Sequence, residues 1–308
     1  MYRKYVGRSH PAAMIVLVDQ SEHMAMEMPC GPIHQTKATV AQRLCNSLIY
    51  ELVIGCSRGK TVKDECFLSV IGYGHQQEAQ SLLKGFHQSM SEICDNTIRV
   101  ETRVRQSMDG PEKYRYPVWL DAFVSDGTSS MGSGFQLGKS LLSDWLATHQ
   151  DCFPPIAVNI SGRPIDENTV SAAEDLKSLQ SSDGHLLLFS IYLSEVSDNA
   201  IRFPEHESLL PNEDCKRIFR MTSELVDWMA PRAPDSYTKG ALPSGARGLV
   251  VNSSFPIRIC LNNTSEPASR QYDIAQFEAE HERDKERMKE EAGKQEPLER
   301  PWWEISAD

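Results

Sequence analysis

The sequence has no long apolar run, no basic patch and no closely spaced pair of cysteines, and each absence excludes a class of protein. A helix that spans a bilayer needs about 20 consecutive apolar residues, and no segment approaches that length. The net charge is −11, and Lys and Arg are scattered among acidic neighbours. Such a surface repels phosphate backbones. We therefore expect no nucleic acid and no membrane among the partners.

The cysteines and the N-terminus both indicate a cytoplasmic protein. The eight cysteines are spread through apparent helices and strands without a CxxC pair or zinc-site spacing. This distribution is typical of small buried apolar side chains in a reducing compartment. The apolar run 12–18 is short for the core of a signal peptide and is followed at once by Asp19 and Glu22. A buried first strand explains the run better than a signal peptide does.

Short apolar runs alternate with amphipathic segments along the first three quarters of the chain. The runs predict strands, and the helical spacing of apolar residues predicts the helices between them. The predicted strands are 12–18, 66–73, 155–160 and 186–193, and the predicted helices are 35–56, 135–146, 166–179 and 214–229. Less regular are an exposed or edge element, an apolar stretch and two short strands or loops, at 93–104, 118–124, 248–251 and 257–260. The alternation predicts an α/β fold with a doubly wound, mostly parallel, Rossmann-like sheet flanked by helices.

The composition changes sharply after about residue 270. We expect one domain over residues 10–262, including additions at its C-terminal end, and a charged, partly helical tail over residues 263–308. The tail interleaves acidic and basic residues, which is typical of a solvated helix, yet it ends in Trp302 and Trp303. Two hypotheses stay open for this pair. It folds back onto the domain, or it anchors a partner, because Trp is frequent at interfaces.

Three loops after buried segments carry polar residues in a recognisable order. They hold Asp19, Ser21 and His23 in the first loop, Thr128 in the second, and Ser161 and Asp166 in the third. Because ligands bind outside the carboxyl ends of parallel strands, we expect the loops to meet at one edge of the sheet. Over residues 12–195, the order of these three loops along the chain resembles that of the von Willebrand factor A domain. In that family a DxSxS motif, a threonine loop and an Asp-Gly loop together hold a divalent metal ion.

The chain departs from the family's metal-ion-dependent adhesion site at two positions. His23 stands where the first motif has its last serine, and Ser161 stands where the third loop has its aspartate. Mg²⁺ prefers oxygen ligands in a near-octahedral arrangement, so these changes remove one negative charge and replace one oxygen by an imidazole. The resemblance therefore implies a degenerate site without a cofactor, in which Asp19, Ser21 and Thr128 would hold Mg²⁺ or Mn²⁺ only weakly.

The resemblance implies an interaction module rather than an enzyme. Its partner would be another protein, bound by the loops at the carboxyl ends of the sheet. Similarity to stand-alone intracellular bacterial proteins of the family further suggests a bacterial stress or signalling system. Two alternatives stay open: a metal-assisted hydrolase that uses Asp19 and His23, and a scaffold that acts through its acidic C-terminal tail.

Overall fold

The computed structural model of the chain describes residues 1–28, 35–58, 61–75, 79–107, 110–128, 131–163, 165, 167–195, 200–229, 242, 244–253, 255 and 257–260. The strands are β1 (Ala12–Asp19), β2 (Ser57–Arg58), β3 (Thr61–Val62), β4 (Cys66–Tyr73), β5 (Gln80–Ser81), β6 (Gln88–Ser89), β7 (Arg99–Ser107), β8 (Gly110–Val118), β9 (Ile156–Ser161), β10 (Leu187–Tyr192), β11 (Ile201–Arg202) and β12 (Leu249–Val251). The α-helices are α1 (Lys37–Gly55), α2 (Met90–Asp95), α3 (Met131–Thr148), α4 (Glu167–Lys177) and α5 (Glu213–Met221). Short 3₁₀ turns lie at Glu22–Ala25, Glu207–Leu209 and Ile257–Cys260.

β1 is buried along its whole length, as its unbroken apolar sequence predicts. Its alternate side chains enter two apolar clusters: Met14 and Val16 belong to one, and Ile15 and Leu17 to the other. α1 contributes its apolar residues to the first cluster, and α3 contributes its own to the second. The sheet is therefore the middle layer between two layers of helices.

The strand order makes this a doubly wound sheet. Among the described strands, eight form one sheet in the order β11-β12-β10-β9-β1-β4-β5, with β6 also pairing β4. The five strands from β12 to β4 run parallel, and β5, β6 and β11 pair antiparallel at the edges. This arrangement confirms the α/β, mostly parallel fold predicted from the sequence.

The prediction of a helix over 214–229 is wrong in its second half. α5 ends at Met221, and Thr222 has extended backbone. Beyond it, the backbone N–H of Ser223 donates to the carbonyl of Leu188 at 2.7 Å, and its hydroxyl accepts the N–H of Leu188 at 3.0 Å. Hydrogen bonds to β10 thus replace those that a longer helix would make.

The stretch 93–104, predicted as an exposed or edge element, contains the end of α2 and most of β7, which pairs with β8 in a hairpin separate from the main sheet. α2 begins with a capping box between Ser89 and Glu92, and β7 and β8 then pair with each other along nine residues each. The next residues hold the root of the hairpin on α1, because the Asn46 side chain accepts the backbone N–H groups of Trp119 and Leu120 at 2.8 and 3.2 Å.

Cysteines and N-terminal residues also belong to the packed part of the domain. The seven cysteines in the described ranges are all buried free thiols, as predicted, and Cys30 lies outside those ranges. Residues before position 10 also pack on the domain, since the Tyr2 carbonyl accepts the Trp228 indole N–H at 3.0 Å and Val6 is buried. Among the helices of the described ranges, none is both long and apolar enough to cross a membrane.

Candidate functional site

The strand order changes direction between β1 and β9. From β1 the chain passes to β4 on one side and later returns to place β9 on the other side. In doubly wound sheets the crossover connections on the two sides then diverge, which leaves a crevice at the carboxyl ends of these two central strands. Asp19 is the last residue of β1, and Ser161 is the last residue of β9. The sequence-predicted residues Asp19 and Ser161 therefore border the crevice.

The first loop buries Asp19 completely. The carboxylate Oδ1 accepts the backbone N–H of Ser21 at 2.9 Å, which closes a tight turn directly after the strand. The backbone N–H of Gln20 donates to the carbonyl of Tyr73 at 2.8 Å, so the loop stays attached to the end of β4. Asp19 and Ser21 have no exposed surface, and His23 is half-buried on the following 3₁₀ turn.

Three buried side-chain oxygens of this loop have no hydrogen-bond partner among the described residues: Oδ2 of Asp19, Oε1 of Gln20 and Oγ of Ser21. Burial raises the pKa of Asp19, and this effect exceeds the opposing effects of the nearby Ser21 N–H and hydroxyl, the Gly162 N–H and the Arg163 guanidinium. Of these groups, only the Ser21 N–H has the distance and angle of a hydrogen bond to the carboxylate. A buried polar atom without a partner costs about 1–3 kcal/mol. The first loop is thus less stable than its packing would allow.

The second loop lies directly against the first. Ser21 and Gly127 form a parallel backbone bridge, and the N–H of Glu22 donates to the Gly127 carbonyl at 2.9 Å. A side chain at Gly127 would place its Cβ 1.6 Å from the carbonyl oxygen of Gly74, so only glycine fits this close approach. The next residue, Thr128, is exposed.

The third loop begins at Ser161, whose side chain is fully buried. The side-chain Nδ2 of Asn159 donates to the Ser161 hydroxyl at 3.4 Å, and the side-chain Oδ1 of Asn159 accepts the Tyr73 hydroxyl at 3.0 Å. This chain of bonds links β9 to β4 beneath β1, so the serine that stands in place of the expected aspartate belongs to an internal network. Asp166, also predicted for this loop, lies outside the described residues.

We define the strand-end face as residues 19–23, 126–128 and 161–163. The structure brings Asp19, Ser21, Gly127 and Ser161 together there. It adds a pair that sequence reasoning missed, because His75 Nδ1 lies 2.7 Å from the Asp126 carboxylate and so ties the end of β4 to the second loop. Trp302 and Trp303 of the predicted tail lie outside the described residues.

Sequence reasoning also missed three charged residues at the third loop: Arg163 within it, and Lys37 and Glu195, which form an ion pair beside it. Lys37 begins α1 and is 1% exposed. Its ammonium donates to the Gly162 carbonyl at 2.6 Å and pairs with the Glu195 carboxylate. A lysine at the start of an amphipathic helix ordinarily faces solvent, so no local pattern could have identified this one.

The residues of the face do not fit a resident divalent cation. Mg²⁺ takes near-octahedral oxygen ligands and usually at least one or two carboxylates. Asp19 is the one buried carboxylate in the described residues of the face, Glu22 and Asp126 are exposed, and Ser161 is neutral. The guanidinium of Arg163 lowers the pKa of Asp19, against the larger effect of burial. No cluster of three or more His, Cys, Asp or Glu side chains within the described ranges is arranged to hold a metal ion.

Nor does the arrangement support a hydrolase that uses Asp19 and His23. Within the described part of the chain, the one hydrogen bond of the Asp19 carboxylate comes from backbone, and the Ser21 hydroxyl has no partner. Nucleophilic or general-base catalysis needs a nucleophile and a base within hydrogen-bond reach of each other. The His75 Nδ1 lies 2.7 Å from the Asp126 carboxylate, which would leave Nε2 as the base, but no nucleophile among the described residues is hydrogen-bonded to Nε2.

No family model and no curated protein matches this sequence. Solved structures with a similar fold include the von Willebrand factor type A protein from Catenulispora acidiphila (8% identity, 59% of this chain, 33% of that chain, TM-score 0.30). Manganese-loaded TRAP protein from Plasmodium vivax is another (13% identity, 60% of this chain, 58% of that chain, TM-score 0.33). A third is the von Willebrand factor domain of the type V pili tip protein Mfa5 from Porphyromonas gingivalis (12% identity, 51% of this chain, 42% of that chain, TM-score 0.30).

The aligned part thus spans between 33% and 58% of the length of these three chains. At such identities and TM-scores the similarity carries no argument about the site. The fold of this protein rests on its own strand order, and the function below rests on its own residues.

Proposed function

We propose that this protein is a non-enzymatic interaction module that binds a partner protein through the strand-end face. The observation that carries the proposal is the group of three buried, unpartnered oxygens on Asp19, Gln20 and Ser21 at the crevice between β1 and β9. Ligands of doubly wound sheets bind in this crevice. Polar groups that weaken the fold are expected at functional sites, where binding compensates for the lost stability.

The exposed groups of the face suit contacts with a protein surface. Thr128 is exposed, Arg163 and His23 are half-buried, and the Asp126 side chain is 63% exposed. Together they offer a hydroxyl, a cation, an imidazole and a carboxylate on one edge of the sheet. Asp19 and Ser21 lie beneath these groups, so in this proposal they shape the loops and do not themselves contact the partner.

The setting of the interaction follows from the family resemblance alone. Stand-alone intracellular proteins that resemble von Willebrand factor A domains are often bacterial and work beside kinases, phosphatases or ATPases. A component of a bacterial stress or signalling system is therefore the first partner to look for.

A capture experiment with matched variants tests the proposal. The full-length chain is immobilised and exposed to lysate of its source cells, and captured proteins are quantified by mass spectrometry. Thr128→Arg places a bulky cation on the face, and Glu174→Arg makes a similar change on α4, where the side chain is 58% exposed. Glu174 lines the cavity of about 500 Å³ at the amino ends of the strands.

We expect a protein that the wild type captures to be lost with Thr128→Arg and retained with Glu174→Arg. Circular dichroism and the melting temperature of each variant show whether the fold is intact. Equal capture by both folded variants would show that the partner binds elsewhere, and the C-terminal tail would then become the leading candidate.

A further inference from the structure

Lys37 is a charged side chain at a position where a positive charge is unfavourable. It is the first residue of α1, its side chain is buried, and the first turn of this helix has no acidic residue. Because the N-terminus of a helix carries a partial positive charge, a cation there opposes the helix dipole. Burial of the ammonium adds a further cost, which its acceptors must offset. Helix formation therefore does not explain the lysine.

The ammonium of Lys37 joins two segments that are distant from it in the chain. It donates to the Gly162 carbonyl of the third loop at 2.6 Å and pairs with the carboxylate of Glu195, which follows β10. A Cβ at Gly162 would lie 2.6 Å from Cδ of Lys37 and 2.8 Å from Sδ of Met24, so the loop packs directly on the lysine stem. The third loop is thus held by close packing as well as by a hydrogen bond.

The main chain of Lys37 holds the segment that follows the first loop. Its N–H donates to the Met26 carbonyl at 2.9 Å, and the N–H of Met28 donates to the Gln35 carbonyl at 2.8 Å. These bonds form a short antiparallel ladder at the start of α1. One residue therefore reaches both loops, because its main chain binds the segment after the first loop and its side chain binds the third.

We propose that Lys37 is a positioning residue, which fixes the third loop relative to the first so that the strand-end face is formed before a partner binds. Glu195 keeps the ammonium directed at Gly162. Because the Lys37 side chain is buried, it acts through the loops and does not contact the partner. The inference rests on the proposed function where it concerns a partner, whereas the hold on the loop can be measured on the protein alone.

Such an ion pair contributes position more than stability. Replacement of buried ion pairs by apolar side chains is often neutral. The Glu195 side chain is 40% exposed, so water can solvate its carboxylate when the lysine is absent. Lys37→Met keeps most of the stem and the main-chain bond to Met26. It should therefore remove the hold on Gly162 and leave the fold intact.

Hydrogen exchange measured by mass spectrometry on the purified full-length chain tests the inference. In Lys37→Met we expect the amides of residues 161–163 to exchange at least about tenfold faster than in the wild type. Exchange in residues 26–28 should stay unchanged, and the melting temperature should stay within about 4 °C of the wild type. Lys177→Met is the matched control, because Lys177 is largely buried and pairs with Glu174 of its own helix. It should leave the third loop unchanged.

Equal exchange of residues 161–163 in the wild type and a folded Lys37→Met would overturn the inference. An equal increase throughout the domain would also overturn it, since that result reports a loss of global stability. If Lys37→Met fails to fold, Glu195→Gln decides, because it changes a partly exposed side chain and removes the charge that holds the ammonium. Faster exchange of residues 161–163 in that variant supports the inference, and unchanged exchange overturns it.

Capture of a partner that the wild type binds gives a second measurement. Lys37→Met should bind that partner at least about tenfold more weakly, because the third loop must then be ordered on binding. Lys177→Met should bind it as the wild type does. Undiminished binding by Lys37→Met would overturn the inference that the face depends on this residue. If the wild type captures no partner, the proposed function is wrong, and hydrogen exchange still decides whether Lys37 positions the loop.

Discussion

The two ends of the central sheet each bury an aspartate, and the two carboxylates differ in how many of their oxygens accept a hydrogen bond. Asp183, at the amino end before β10, accepts the backbone N–H of Arg3 on one oxygen and that of Lys4 on the other, both at 2.9 Å. Asp19, at the carboxyl end, has one backbone donor on Oδ1 and none on Oδ2 among the described residues. Asp183 is 7% exposed and Asp19 is not exposed at all.

The difference separates a stabilising carboxylate from one that stability alone does not explain. Asp183 fastens the N-terminal segment to the domain, because each of its oxygens compensates a backbone donor. Asp19 leaves a buried acceptor without a donor, at the place where doubly wound sheets bind their ligands. We therefore assign the amino end to folding and propose the carboxyl end for binding. The following experiments test that division.

The largest effect should come from Asp183→Ala at the amino end. Hydrogen bonds to a charged group contribute about 1.5–3 kcal/mol each, so loss of two should lower the free energy of unfolding by about 3 kcal/mol in urea denaturation. Asp151→Ala is the control, since Asp151 is 76% exposed in the same region, where it pairs with Lys4. If Asp183→Ala loses no more free energy of unfolding than Asp151→Ala, the Asp183 carboxylate does not stabilise the fold, and the contrast with Asp19 would not hold.

Asp19→Asn should raise the free energy of unfolding, whereas Asp183→Ala should lower it. The amide keeps the acceptor for the Ser21 N–H and removes a buried charge, so we expect a gain of about 1 kcal/mol at pH 7. The pKa of Asp19 is raised in the folded state, so the carboxyl group favours folding below its ordinary pKa and loses that contribution as the pH rises through the raised value. The advantage of Asn should accordingly vanish in acid.

Asp126→Asn is the control for that experiment, because Asp126 is on the same face but 63% exposed. Its stability should stay within about 0.5 kcal/mol of the wild type. If Asp19→Asn instead unfolds more readily than the wild type at pH 7, the ionised carboxylate stabilises the fold, and Asp19 would resemble Asp183.

His87 provides a comparison for Asp19, because it also has a buried atom without a partner but lies at the other end of a strand. Its Nδ1 has no partner in the described part of the chain, and the residue lies beside the early residues of β4. Burial lowers the pKa of His87, against the opposing effects of the Leu141 carbonyl and Asp144 and together with that of His149. Its contribution to stability is thus present above the unfolded pKa of about 6.5 and lost as the pH falls through the lowered value.

Between pH 7 and pH 5 the wild type should lose more stability than His87→Asn, by less than about 1 kcal/mol because the ring is partly exposed. Asn tolerates the left-handed backbone of this residue, whose φ is 48°. Urea midpoints at both pH values provide the comparison. Parallel pH curves for the two proteins would mean that His87 is not coupled to folding.

The smallest effect should follow from removal of residues 271–308. The tail is poor in apolar residues, so the truncated chain should unfold within about 0.5 kcal/mol of the full-length protein. Replacing Trp302 and Trp303 by Ala in the full chain separates the two hypotheses for that pair. A loss of about 3 kcal/mol or more would show that the tryptophans dock on the domain, whereas unchanged stability with weaker partner capture would identify them as an anchor.

The order of elements could be read from the sequence because it depends on local patterns. The run 12–18 is apolar at every position, which only a strand buried on both faces explains, and β1 extends over Ala12–Asp19. Strand ends could be predicted for the same reason, so Asp19 and Ser161 were located correctly beside β1 and β9. The hairpin of β7 and β8 was missed because its strands carry charged residues on both sides and lack a clear alternation.

What the sequence determined by itself is the α/β class and the position of its polar strand ends, because the hydrophobic period and the succession of elements along the chain depend on neighbouring residues. Only the tertiary structure decided which polar groups have partners. Lys37 meets Gly162 across 125 residues of chain, and Arg3 meets Asp183 across 180. No local pattern encodes such contacts, since they arise when separate elements pack. The satisfied and the unsatisfied aspartate therefore look alike in sequence and differ only in the fold.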